Sequence, residues 1–168
     1  MFDLKPITRD HVPAALHKAE RYRLLNEPTA AESICRDVLD CDPGNQQALI
    51  MLALSLSDQF ATGEEMTARM REARDLLAQV QDEYKRAYYH GIVCERRANA
   101  QLHLGAPGCE EIAYDWFREA MDRYEQAERL RDPGNDEAIL RWNTCARMLN
   151  QSDHVKPSTA EEYEPSFE

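Results

Sequence analysis

The chain has 168 residues, 43% of them hydrophobic and 30% charged, with a formal net charge of −11. This composition excludes a disordered polar chain. The acidic balance excludes a general nucleic-acid binder, which needs a basic face to neutralise phosphates.

Residues 1–12 read as an N-terminal segment. Met1 to Pro13 holds no apolar core stretch and mixes Asp3 and Asp10 with Lys5 and Arg9, which predicts no secretory signal. A first helix is predicted over 13–26, with Pro13 in its first turn and Leu16, Ala19, Tyr22 and Leu25 at helical spacing. Asn26-Glu27-Pro28 makes a short break. A second helix, 28–40, turns Ala31, Ile34, Cys35, Val38 and Leu39 inward, and so tight a turn predicts an antiparallel pair. After Asp42-Pro43-Gly44-Asn45, the third helix over 46–59 is apolar on most sides, from Leu49 through Leu54 and at Leu56. A helix of that kind must be covered on most sides, so it is expected at the centre of the array.

Thr62-Gly63 predicts another break, followed by a fourth helix over 64–82 carrying Met66, Met70, Ala73, Leu77 and Val80 in one stripe. The fifth, 84–104, places Tyr84, Ala87, Tyr88, Gly91, Cys94, Ala98 and Leu102 along one side and stops at Gly105-Ala106-Pro107-Gly108. The sixth, 109–131, presents Ile112, Trp116, Phe117, Ala120, Tyr124, Ala127 and Leu130. The seventh, 136–150, follows Asp132-Pro133-Gly134-Asn135 and carries Ala138, Trp142, Cys145 and Leu149, with Leu140 and Met148 outside that stripe. Residues 151–168 read as an acidic tail without helical periodicity, expected to be mobile. Its Tyr163 and Phe167 read either as incidental aromatics or as anchors for docking in a groove. The longest apolar run, Ala48 to Leu54, is far too short to span a bilayer. Five cysteines, odd in number and irregularly spaced, fit a reducing compartment, so a cytoplasmic protein that engages no membrane is expected.

Two stretches share one grammar. Ala31-x3-Cys35-x2-Val38 runs into Asp-Pro-Gly-Asn at 42–45, and Ala120-x3-Tyr124-x2-Ala127 runs into Asp-Pro-Gly-Asn at 132–135. These residues resemble the tetratricopeptide repeat, a helix pair of roughly 34 residues with the pattern W-x2-L-G-x2-Y, A-x3-F and a closing proline. In the first unit Ala19 stands at the small position, Tyr22 at the aromatic one, and Pro43 closes the unit. In the second, Leu49, Leu52, Ala53 and Leu56 match the first helix, while Ala73, Leu77 and Val80 match the second only after about eight inserted residues. In the third, Gly91 takes the glycine place, with Ala120, Tyr124 and Ala127 after it and Pro133 one residue late. The resemblance covers 13–150 and lacks the first tryptophan throughout.

The resemblance implies an all-α fold of antiparallel helix pairs stacked as a short solenoid. It also implies a concave groove, lined by first helices, for a protein or peptide partner. In that register the groove is lined by Glu20, Arg23, Gln47, Ile50, Leu54, Lys85, Tyr88, Ile92, Arg96 and Arg147. Ile50 and Leu54 read equally as groove floor or as core covered by neighbouring helices. Leu16 and Glu20 stand where a lysine–asparagine clamp for terminal carboxylates would be needed, so a chaperone-type C-terminal peptide is not expected. Two alternatives stand beside it: a structural module that forms a homo-oligomer, such as a homodimer, through the last helix, and an enzyme or a metal- or thiol-dependent regulator that uses His90 and Cys94.

No chemistry-bearing motif competes with this. His90 and Cys94 stand at i and i+4, a spacing able to seat two metal ligands, but one pair is not a site, and a packed or groove-lining histidine is expected. Cys109 beside a glycine-rich loop reads as an exposed thiol, or as one with a lowered pKa at a helix start. Glu110-Glu111 reads as an anion pair at a helix N-terminus. No nucleophile elbow, phosphate-cradling loop or His-Glu-x-x-His is present. The expectation is a protein without catalytic residues, cofactor or metal.

Overall fold

The computed structural model describes residues 2–60 and 63–158. Among them the chain is all-helical: a 3-10 turn at Arg9–His11, then α1 (Val12–Leu24), α2 (Pro28–Cys41), α3 (Gln46–Ser57), α4 (Gly63–Ala78), α5 (Glu83–Leu104), α6 (Cys109–Leu130) and α7 (Glu137–Gln151). Each helix packs on the next, α1 also packs on α3, and α3 on α5. Short connections make successive helices antiparallel, and the result is a short solenoid of stacked helix pairs. No described helix is long and apolar enough to cross a membrane.

Local chemistry sets the boundaries. Pro28 stands in the first turn of α2, where its missing N–H costs nothing. Asn26 closes α1 at φ +60, a left-handed conformation that asparagine tolerates, with the Glu27 amide donating back to the Tyr22 carbonyl at 2.8 Å. Asn45 caps α3 by accepting from the Ala48 amide at 3.0 Å, and Asp82 caps α5 by accepting from the Lys85 amide at 3.0 Å. That second cap corrects the sequence reading, which carried the fourth helix to 82. The chain leaves α4 at Ala78 because Asp82 is already committed to starting α5. The expected break at Thr62-Gly63 falls partly outside the described residues.

α3 is the centre of the stack: nine of its residues, from Ala48 to Ser57, are buried. The two matching triples behave alike. Ala31, Cys35 and Val38, like Ala120, Tyr124 and Ala127, are each 0% exposed. Small residues there let neighbouring helices approach closely, and the larger ones fill the space between pairs. On α6 the buried face is Ala113, Phe117, Ala120, Met121, Tyr124 and Ala127, whereas Ile112 and Leu130, expected inside, are exposed. Glu110 and Glu111 lie in the first turn of α6, as expected. Beyond α7, Val155 is buried against the main core. Tyr163 and Phe167 lie outside the described residues.

Charged side chains also stitch α2 to α4. Glu32 on α2 accepts from Arg36 at 2.7 Å, from Gln59 at 2.7 Å and from Arg69 on α4 at 3.1 Å. Burial alone raises its pKa, but the three donors together outweigh burial and hold the carboxyl below its ordinary 4.5. A depressed folded-state value contributes stability that is complete above pH 4.5 and lost as the pH falls through the lower folded value. Glu32→Gln is therefore expected to cost about 1 kcal/mol at neutral pH. Denaturant titrations of both proteins should converge as the medium is acidified. A gap that stays constant with pH means that the charge on Glu32 contributes nothing.

Candidate functional site

A concavity of about 620 Å³ opens on the side of the stack where α1, α3 and α5 meet. α1 contributes Glu20 and Arg23, and α3 contributes Gln46, Gln47, Ile50, Met51 and Leu54. Val80, Gln81 and Asp82 enter from the α4–α5 connection, and Lys85 and Tyr89 from α5. Of the residues the sequence placed in a groove, Glu20, Arg23, Gln47, Ile50, Leu54 and Lys85 line this concavity.

The other four lie elsewhere. Ile92 is 5% exposed, inside the core. Tyr88 is half-buried, stacked on Tyr84 with ring centroids 5.8 Å apart and edge-on to Tyr89 at 5.3 Å. Arg96 donates to the Leu54 carbonyl at 3.1 Å and to Ser57 Oγ at 2.7 Å, so it caps the C-terminus of α3. Arg147 is exposed on α7, and α7 contributes nothing to the concavity. Tyr89 was missed, and its signal was present: Lys85 and Tyr89 are four residues apart and share a helix face, beside the buried stripe of Ala87, Gly91 and Cys94.

The concavity is stiffened from within. Arg23 Nε donates to Asp58 Oδ2 at 2.7 Å, while Arg96 Nη1 lies 2.8 Å from Asp58 Oδ1. Asp58 thus ties α1 to α5 across the end of α3. At the opposite rim, Gln46 donates to the Gly44 carbonyl at 3.0 Å and accepts from the Gln81 amide at 2.7 Å. The charged residues of the lining balance, Arg23 and Lys85 against Glu20 and Asp82. The floor is apolar: Ile50 is half-buried there, while Met51, Leu54 and Val80 beneath it are buried in the core, so of the two residues read equally as floor or core, Leu54 is core.

A second constellation lies where α5 and α6 face each other. One ligand-type atom each from His90, Cys94 and Glu119 lies within 4.8 Å of the others. Nε2 of His90 is buried without a hydrogen-bond partner, 3.9 Å from Oε1 of Glu119. Burial, helped by the nearby Arg123 and Arg74 charges, pushes His90 down to about 4, so the ring is neutral at physiological pH. Burial, with Glu119 next, pushes the Cys94 thiol up to about 12. Arg74 on α4 donates to Glu119 at 2.5 Å and stacks over Trp116 at 5.0 Å. The sequence offered only the His90–Cys94 pair; Glu119 comes from the next helix.

The remaining thiols are packed. All five cysteines are free, and burial pushes Cys35 and Cys145 up to about 12. Cys109, expected at the surface, is 3% exposed and receives a hydrogen bond from Gln101 Nε2 at 3.3 Å. The Cys109 side chain at the start of α6 is thereby folded against α5 rather than presented to solvent. A scan of protein-family models finds no match to this chain, and a search of curated proteins finds no similar sequence.

Proposed function

We propose that this chain is a small tetratricopeptide-like scaffold, without catalysis of its own, that holds a peptide segment of another protein in the concavity on α1, α3 and α5. The observation that carries the reading is the concavity itself: an apolar floor with a braced polar rim and no net charge. Such a surface favours a segment with one or two apolar anchors and little net charge. The anchors would sit on half-buried Ile50, which Met51 and Leu54, each 8% exposed, back from the core, while Gln47, Lys85 and Tyr89 contact its backbone and flanks. Because Arg23 and Gln46 are already held in place, little side-chain entropy is lost on binding. Five free cysteines support a reducing, cytoplasmic setting.

The test is selection of binders from a displayed random-peptide library, followed by affinity measurement on Ile50→Glu and Tyr89→Ala. Ile50 is only half-buried, so both variants are expected to keep their helical circular dichroism. Each is expected to weaken binding roughly tenfold or more. Peptides that bind both variants as tightly as the parent dock elsewhere, and the reading then fails. One observation favours the homodimer alternative: Leu140 on the terminal helix α7 is 65% exposed. A monomer whose sedimentation is independent of concentration removes that alternative.

A further inference from the structure

We propose that His90, Cys94 and Glu119 form a binding site for a divalent transition-metal ion of the zinc class, with Arg74 occupying the ion's place when it is absent. The three residues supply imidazole, thiol and carboxylate, the donor set that zinc takes, with a fourth position left for water. Two of them stand at i and i+4 on α5 and therefore share a face. The third faces them from α6, the helix that packs on α5.

In a tetrahedral zinc site with bonds of about 2.0–2.3 Å, neighbouring ligand atoms stand about 3.3–3.8 Å apart. Here the three atoms lie within 4.8 Å, with Nε2 of His90 and Oε1 of Glu119 at 3.9 Å. Closing that gap needs side-chain adjustment rather than a new backbone. The buried Nε2 of His90 has no partner in the described protein, and an orphaned buried polar atom of this kind calls for one. A metal supplies it.

The charges also close. On binding, Cys94 releases its proton to solvent and becomes a thiolate. Thiolate and Glu119 carboxylate then balance the dication, with His90 neutral. Without the ion, Arg74 balances Glu119 instead, at 2.5 Å, while Arg123 stands 3.9 Å from the same oxygen. Arg74 is 39% exposed and already lies over the Trp116 ring, so its guanidinium has a place to go when the carboxylate turns to the metal. The arginine and the ion compete for one carboxylate, and this proposal is independent of the peptide groove.

The experiment titrates the full-length protein with Co²⁺ and then Zn²⁺. One equivalent of Co²⁺ is expected to give intense visible bands of tetrahedral cobalt and a near-ultraviolet thiolate-to-cobalt band, which Zn²⁺ erases. Cys94→Ala removes the thiolate band. Glu119→Gln, at a half-exposed position that leaves the fold intact, weakens Zn²⁺ at least about tenfold in competition with a chromophoric chelator. Arg74→Gln strengthens it several-fold. Absence of the thiolate band overturns the proposal, as does zinc affinity that is indifferent to Glu119→Gln or not raised by Arg74→Gln.

Discussion

Replacing Gly91 by valine is expected to destabilise the stack by about 2–3 kcal/mol, although valine is the better helix former. A Cβ at Gly91 would stand 2.5 Å from Cε1 of Tyr124, 2.7 Å from Cδ1 and 3.0 Å from Cζ. The ring has no room to retreat. It is 0% exposed, and its hydroxyl is tied to Glu95 at 2.6 Å. Helix propensity favours the substitution by less than about 1 kcal/mol, while forcing methyl groups into a packed core costs up to about 3 kcal/mol and occasionally more. Overpacking therefore decides the sign. Gly91→Ala should move in the same direction by a smaller amount, and Gly44→Ala, where nothing lies within 4 Å, should be nearly neutral. Thermal melts should place the valine variant roughly 4–12 °C below the parent. In a Tyr124→Leu background most of the penalty should vanish, because the two residues share one contact. A valine variant as stable as the parent means that α5 and α6 sit farther apart in solution than described.

Gly91 also marks what was legible from sequence. Gly91 and Tyr124 each read onto the main stripe of their own helix, though not against each other, and the triples at Ala31, Cys35 and Val38 and at Ala120, Tyr124 and Ala127 read as small and large residues at fixed offsets; all six residues of the triples prove fully buried. Local signals of this kind survive folding because the helix pair is itself local: caps, Pro-Gly turns and stripes act within a few residues. What failed was the assignment of faces one step from the seam. Tyr88 was taken for groove and Tyr89 was not; adjacent helical residues point roughly 100° apart, so one step of register moves a side chain from the concavity into a tyrosine stack. Arg96 read as a binding anchor because its charge was visible, while its partners, the end of α3 and Asp58, lie some forty residues earlier in the chain. Ile112 and Leu130 were read as inward from hydrophobicity alone, though Ala113 and Met121 hold the seam. Glu119 joined His90 and Cys94 only through the packing of α6 on α5. No periodicity within one helix encodes such a meeting.

The largest polar effect is expected at Glu95, whose side chain is only 9% exposed in the middle of α5. One carboxylate oxygen accepts from the Tyr124 hydroxyl at 2.6 Å and the other from Arg141 on α7 at 3.3 Å. A carboxylate is costly to bury without such partners, so this one residue couples α5 to α6 and to α7. Burial, and then the Glu95 charge, push the Tyr124 phenol well above its usual range, so it stays a donor at any biological pH. Glu95→Ala leaves that hydroxyl buried without an acceptor and opens a gap beside it, whereas Arg141, 42% exposed, finds water. The expected cost is roughly 2–4 kcal/mol. Tyr124→Phe should cost less, about 1–2 kcal/mol, since Arg141 still pairs with the carboxylate. Glu95→Leu combined with Tyr124→Phe should lose less than the sum of the two single changes, because removing both partners leaves nothing unsatisfied. Because α7 is held by Arg141 and by the Trp142 indole, which donates to Glu125 at 3.1 Å, its release should appear as a change in tryptophan fluorescence before the remaining helices melt. Full stability in Glu95→Ala would show that the carboxylate reaches solvent and holds none of these helices together.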